Sequence, residues 1–260
     1  MLVLLPPSEG KTPAPPTAPP LDLDALSHGG LTPVREKVLD ALVAVSGRPD
    51  ACDVLGVSAG LADEVARNVG LRGAPAARAS RIYTGVLYGA AGLDALTPAA
   101  RARAVGSVRV VSALWGLLTV DDVVPAYRLS MGTDLPGIGP LAAAWRGPLG
   151  VELGDAADGG LVVDCRSAAY RAAWTPPAGA CWVDVRVLRE VDGRRSVVSH
   201  HAKHTRGVLT RHLVTRRGRA PRDAEELADA ASALVGGALH AVELGPVPRR
   251  GARMLSLVVT

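Results

Sequence analysis

Three short aliphatic runs, spread from one end of the chain to beyond its middle, set the limits on the fold: "MLVLL" at residues 1–5, "VRVVSAL" at 108–114 and "LVVDC" at 161–165. Each is short, and none holds to an apolar–polar alternation, so each reads as a strand covered on both faces. Strands of that kind need helices above and below the sheet. The stretches between them supply helix signals. Thr32-Pro33 pairs a hydroxyl cap with a proline in the first helical position, ahead of "VREKVLDALVAV", and Thr97-Pro98 repeats the device. Residues 60–69 also read as helical, and Asp121-Asp122 as a helix start. Further on, "CWVDVRVLRE" alternates as a half-exposed strand should, and Asp192-Gly193 is a hairpin turn into "SVVS". A helix from about His201 to Arg216, another from Arg222 to Leu234 and a last strand, "LSLVV", complete the pattern. There is no internal repeat, and the Pro/Ala stretch at 13–20 is too short for a linker. The expectation is one α/β domain over residues 1–260, a mixed sheet surrounded by helices.

Composition narrows the setting. At 48% hydrophobic residues the chain can build a core, yet no run approaches the roughly 18–20 apolar residues of a membrane span. The first residues lack a basic lead-in, so they read as a strand and not as a signal peptide. Cys52, Cys165 and Cys181 are scattered, odd in number and unpaired by spacing, which points to a reducing compartment. A cytoplasmic protein with no membrane partner is expected. With four Trp, four Tyr and no Phe, base stacking on single-stranded nucleic acid is disfavoured.

Charge is concentrated. From Arg194 to Arg222 there are nine lysines and arginines and no acid, a block that suggests an anionic partner. His200 and His204 within it have the spacing of two ligands on one helix face, but a third ligand is missing and Lys203, Arg206 and Arg211 repel a cation. Lys203 and Arg206 share a face that Thr210 and Arg217 continue, while Ala202, Leu209 and Leu213 form an anchoring stripe. A phosphate-contacting ridge fits better than a metal site. "SEGKT" (8–12) resembles the end of a phosphate loop, but Leu5 stands where its first glycine belongs and Pro13 interrupts the helix. Lys11 remains as a loop lysine at the sheet's edge. "DLPGIGPLAAAW" (134–145) matches the hairpin of helix-hairpin-helix elements. There, Gly137, Ile138 and Gly139 would bring the backbone close to a phosphate, with a helix start at Pro140 behind them. No nucleophile elbow, zinc-protease motif or spaced carboxylate pair is present.

The fragments at 1–12, 83–85, 112–116, 125–132, 166–170 and 198–207, taken in that order, resemble the bacterial YaaA family of peroxide stress proteins. The first strand with Lys11-Thr12 is similar to that family's strand and Ser-Pro-Ala-Lys-Thr, and "YTG" (83–85) is shared. "SALWG" (112–116), "PAYRLSMG" (125–132), "RSAAY" (166–170) and "VSHHAKHTRG" (198–207) follow in the family's order. The resemblance implies one α/β domain, a positively charged cleft, double-stranded DNA binding through a helix-hairpin-helix element, and protection against peroxide by limiting free iron. Ser130 and Ala169 stand where the family carries glutamates, which weakens any acid–base role there.

Two functions follow as expectations. In the first, the protein binds double-stranded DNA irrespective of sequence, with Gly137, Ile138, Gly139, Lys203, Arg206 and Arg211 on the phosphates. In the second, it is an enzyme acting on a small phosphate- or carboxylate-bearing substrate. There Lys11, Arg128, Lys203 and Arg206 form an anion clamp, with Tyr88, Tyr170 or a cysteine in support. One deep pocket holding the clamp favours the second; cations spread over an open face favour the first. No cofactor and no resident metal is expected in either.

Overall fold

The first aliphatic run becomes the middle of the molecule. Strand β1 (Leu2–Leu5) is buried along its length and lies parallel to β2 (Val108–Ser112) on one side and β4 (Leu161–Asp164) on the other. This computed structural model describes residues 1–197 and 199–260, and their side chains except those of Val197, Ser199 and His200. Beyond β4 the parallel order continues through β5 (Cys181–Val191) to β8 (Arg253–Val259). Antiparallel strands close both edges: β3 (Gly116–Leu118) on β2, and β7 (Ala241–Leu244) on β8. β6 (Arg194–Val197) folds back on β5 through the expected turn, in which Asp192 and Gly193 take φ of 50° and 72°. The result is a single α/β domain with an eight-stranded mixed sheet in the order β7-β8-β5-β4-β1-β2-β3, β6 lying beside β5. In β5 the alternation is realised, with Val183, Val185 and Val187 facing the core.

Helices cover the sheet. The Thr32 cap is not realised: α1 (Thr32–Ser46) takes in Thr32 as its first residue with Pro33 behind it, and no side chain caps that end. By contrast, α3 (Pro98–Ser107) is capped by the Thr97 hydroxyl, which accepts from the Ala100 amide at 3.4 Å. α2 (Val86–Ala91), α4 (Leu141–Ala157), α5 (Ser199–Thr215) and α6 (Ala224–Ser232) follow. α6 begins later than expected because Asp223 caps it, accepting from Glu226 N at 2.8 Å. The 60–69 segment is helical as expected, but α-helical only at Ala62–Ala66, between 3₁₀ stretches at Ala59–Leu61 and Arg67–Gly73.

Two expectations are corrected. Asp121-Asp122 starts no helix and sits in a turn after β3. The Asp122 carboxylate accepts from the amides of Thr119 (2.6 Å) and Ser27 (2.7 Å), and Asp121 pairs with Arg101. The helix-hairpin-helix element is not confirmed. A small β-hairpin, Asp134–Leu135 against Gly139–Pro140, does lead into α4, but the residues before it, Pro125 to Ser130, run without helix. The backbone of that segment is tied elsewhere, as described next.

Candidate functional site

Loops leaving the carboxyl ends of β1 and β4, neighbours in the middle of the sheet, meet where open α/β folds receive ligands. A cavity of about 590 Å³ lies there, lined among others by Glu9, Tyr88, Arg128, Ser130, Tyr170 and Lys203. The scattered fragments quoted above converge on it. Thr12 is zipped to the Tyr83-Thr84-Gly85 segment by Thr12 N–H to Ile82 O (3.0 Å) and a Thr12–Thr84 hydroxyl contact (3.1 Å). Ser112 accepts from the amides of Leu114 and Trp115 and bonds the Tyr127 hydroxyl at 2.7 Å; Tyr127 in turn meets the Tyr83 hydroxyl at 3.1 Å. Burial drives the phenols of Tyr83, Tyr88, Tyr127 and Tyr170 well above the ordinary range, so all four are protonated donors. These are the chain's only tyrosines.

Lys11 stands directly behind the rim. Its amine donates to the carbonyls of Ser8 (2.8 Å) and Glu9 (3.3 Å), both lining residues, and lies 4.2 Å from the centroid of the Tyr127 ring. Burial, and then the nearby Arg128 charge, lower its pKa to about 7, against weaker support for the charged form from Glu64 and Glu9. Arg128 donates to Glu9 O at 3.3 Å and pairs with Glu64 at 3.4 Å, while Lys203 reaches Glu9 at 3.8 Å. These contacts are long, so an incoming anion competes on good terms for both cations.

The residues that hold this arrangement carry little signal in the sequence. The buried Asn68 brackets the Arg128 backbone, and a fully buried ion pair, Asp164–Arg166, organises the loop after β4. Arg166 also donates to the carbonyls of Tyr170 (3.2 Å) and Trp174 (2.9 Å), fixing the turn that carries Tyr170 into the pocket wall. The available signal was weak: one asparagine in a helical segment that also carries Asp63, Glu64 and Arg67, and an Asp-Cys-Arg at the end of a strand.

Other expected residues lie elsewhere. Arg206 turns under α5 and donates twice to Val185 O (3.1 and 2.8 Å), and Thr210 is buried, so the basic ridge is broken. Ala202, Leu209 and Leu213 are buried as the anchoring stripe requires. Arg211 binds the carbonyls at the end of α2, Ala91 and Gly92, both at 3.3 Å. Gly137 and Gly139 adopt φ of 84° and 86° in the small hairpin, apart from the pocket lining, with Ile138 half-buried between them. The Cys165 thiol is buried and pushed up to about 12, which removes it as a nucleophile at neutral pH. His201, His204 and His240 line a second hollow of about 370 Å³. Among the described residues no three His, Cys, Asp or Glu side chains are placed to hold one metal ion. The His200 and Ser199 side chains lie outside the described residues. Nor is any helix among the described residues long and apolar enough to cross a membrane.

Sequence comparison covers the stretch that carries all of these fragments. A family model described as "Peroxide stress protein YaaA" matches residues 1–233. A UPF0246 protein of Streptomyces coelicolor is 48% identical over 234 residues, covering 88% of each chain. One from Corynebacterium efficiens is 44% identical over 237 residues, 89% of this chain and 91% of its own. Another, from Corynebacterium glutamicum, is 38% identical over 217 residues, 82% and 84% of the two chains.

Proposed function

The chain belongs to the peroxide stress protein YaaA family, and on that premise we propose that it acts in that response on a small phosphate- or carboxylate-bearing substrate held between Arg128 and Lys203. The observation that carries this reading is convergence: Arg128, Lys203 and Tyr170, distant in sequence, line one cavity of about 590 Å³. Sites for small ligands span roughly 300–1,000 Å³, mostly apolar with a few directed polar groups. Prolines, Leu129 and Ala169 supply the apolar wall here, with hydroxyls of Ser8, Thr84 and Ser130 among them. A double helix is too wide to enter such a space, and two of the arginines expected on a DNA face are satisfied by backbone carbonyls. We place the activity in the cytoplasm, where free thiols such as those of Cys52, Cys165 and Cys181 stay reduced.

A second reading keeps the expectation of sequence-independent double-stranded DNA binding, with an indirect effect on free iron. The positive-φ turn at Gly137 and Gly139, exposed at Gly137 and set directly before the 17-residue α4, favours it, because a phosphate can approach such a turn closely.

Calorimetric titration separates the two, using inorganic phosphate and a short duplex against the wild type, Arg128→Ala and Gly139→Val. The pocket reading expects saturable phosphate binding that Arg128→Ala abolishes and Gly139→Val leaves intact. The DNA reading expects duplex affinity to fall by orders of magnitude between about 50 and 200 mM salt, and to weaken in Gly139→Val. Phosphate binding that Arg128→Ala leaves unchanged sinks the first reading.

A further inference from the structure

Lysine is scarce in this chain: Lys11, Lys37 and Lys203 are the only three among 29 lysines and arginines. Two of the three stand at the pocket, one in its lining and one directly behind its rim. Lys203 lines it, and Lys11 bonds the carbonyls of two lining residues, Ser8 and Glu9. The distinction matters chemically. An arginine keeps its proton in a protein, whereas a desolvated lysine loses it readily and then offers a nucleophilic nitrogen.

The surroundings of Lys11 suit that loss. Its side chain is only partly exposed, and its backbone is pinned by a bridge to Tyr83, so the amine is held in place. Burial opposes its charge most and Arg128 next; Glu64, Glu9, the two carbonyls and the Tyr127 ring support it. With opposed influences of this kind, charged and neutral amine coexist near neutral pH, as the value of about 7 expresses. A structural ammonium placed only to tie down a loop needs no such balance.

We propose that Lys11 is the nucleophile of a carbonyl-capturing site. An aldehyde or ketone carrying a phosphate or carboxylate enters the pocket, sets its charge on Arg128 and Lys203, and condenses with the Lys11 amine as an imine. This rests on the anionic-substrate reading of the same pocket and adds the reacting group. In the step the nitrogen lone pair bonds to the carbonyl carbon, and the displaced π pair on oxygen takes up a proton as nitrogen sheds one. The carbinolamine then expels that oxygen, protonated a second time, as water, while nitrogen gives up its remaining proton and forms the C=N bond. One amine and one carbonyl become one imine and one water, with no oxidant or reductant.

Reductive trapping tests it. The full chain is incubated with pyridoxal phosphate, an aldehyde bearing a phosphate, reduced with borohydride, digested and mapped by mass spectrometry. The exposed Lys37 of α1 is a built-in reporter of indiscriminate labelling. The expected result is one adduct per chain at Lys11, suppressed about tenfold by excess inorganic phosphate or by pyridoxal lacking its phosphate. Labelling should vanish in Lys11→Arg while phosphate binding persists. Adducts shared evenly with Lys37, or found at Lys203 in place of Lys11, overturn the assignment. If Lys11→Arg fails to fold, site occupancy and phosphate competition in the wild type decide the matter alone. Phosphate binding without trapping at Lys11 refutes the nucleophile and spares the pocket; no binding of phosphate at all refutes the pocket reading itself.

Discussion

The side chain of Asn68 pairs with the backbone of Arg128 as a strand partner would: its amide oxygen accepts the Arg128 N–H at 2.9 Å and its NH₂ donates to the Arg128 carbonyl at 2.9 Å. The same NH₂ reaches the Ser46 hydroxyl at 3.1 Å, so a fully buried side chain spends its polar groups on holding one pocket residue to the helical layer. This pairing explains why the segment before the small hairpin stays extended. A helix there would withdraw the very N–H and C=O that Asn68 uses.

Replacing that bracket has two separable consequences. Asn68→Ala orphans the Arg128 N–H and C=O, each costing about 1–3 kcal/mol when buried without a partner. Urea denaturation is expected to show a loss of at least that order. Phosphate affinity should also fall, although Asn68 is not among the pocket-lining residues. A variant that is destabilised yet binds phosphate like the wild type would mean that Arg128 keeps its place unaided.

Glu9 is the pocket's own competitor for its cations. Its carboxylate stands 3.8 Å from the Lys203 amine, and both side chains are largely exposed, so the pair itself adds little stability. Glu9→Gln removes a negative charge from the mouth without shortening the side chain. Phosphate affinity should rise several-fold, more at low salt than at high salt, with unfolding within about 0.5 kcal/mol of wild type. Unchanged or weaker binding would show that Glu9 does not compete.

For Lys11 the sign of the pH effect follows from its lowered pKa. The folded value of about 7 lies below the ordinary 10.5, so between those limits the unfolded chain holds the proton more tightly. Stability therefore rises with pH across that window, and below about pH 7 the full cost of a buried charge is present. Lys11→Met removes this component. The stability of wild type relative to the variant should improve by a few kcal/mol at most from pH 7 to 10. A flat difference across that range would mean that the amine keeps its charge when folded.

What could be read in the sequence divides along a physical line. The buried strands, the Asp192-Gly193 turn, the Thr97 cap and the apolar stripe of α5 follow from local periodicity and turn chemistry, and each stands where expected. The pocket depends on contacts between segments far apart in sequence, which no periodicity encodes. Lys203 and Arg206 share a helix face in sequence, yet Arg206 reaches beneath it to Val185 O, 21 residues away. Asp121-Asp122 resembled a helix start because acids favour both helix starts and tight turns; the Thr119 and Ser27 amides on Asp122, and Arg101 on Asp121, hold the turn. Asn68 and Glu64 carried no motif, since they act on the backbone and the guanidinium of an arginine 60 or more residues away. Arg166 falls in a quoted fragment, but its burial on Asp164 and on the Trp174 carbonyl has no sequence signature.

Gly207 is where helix packing and pocket shape are joined, and replacing it should expose that coupling. A methyl group at this position would overlap the Leu87 carbonyl oxygen and come within 2.8 Å of the Ala90 Cβ. The absence of a side chain is what lets α5, which carries Lys203, lie directly on α2, which carries Leu87 and Tyr88 of the pocket wall. In an isolated helix Gly→Ala gains about 1 kcal/mol. Here the obstacle is the backbone of a second helix, so the helices must separate, and overpacking of that kind costs about 1–3 kcal/mol or more. Gly207→Ala is therefore expected to unfold at lower denaturant and, by displacing Lys203 from Tyr88, to weaken phosphate binding as well. A variant at least as stable as the wild type would show that α2 and α5 can part without cost.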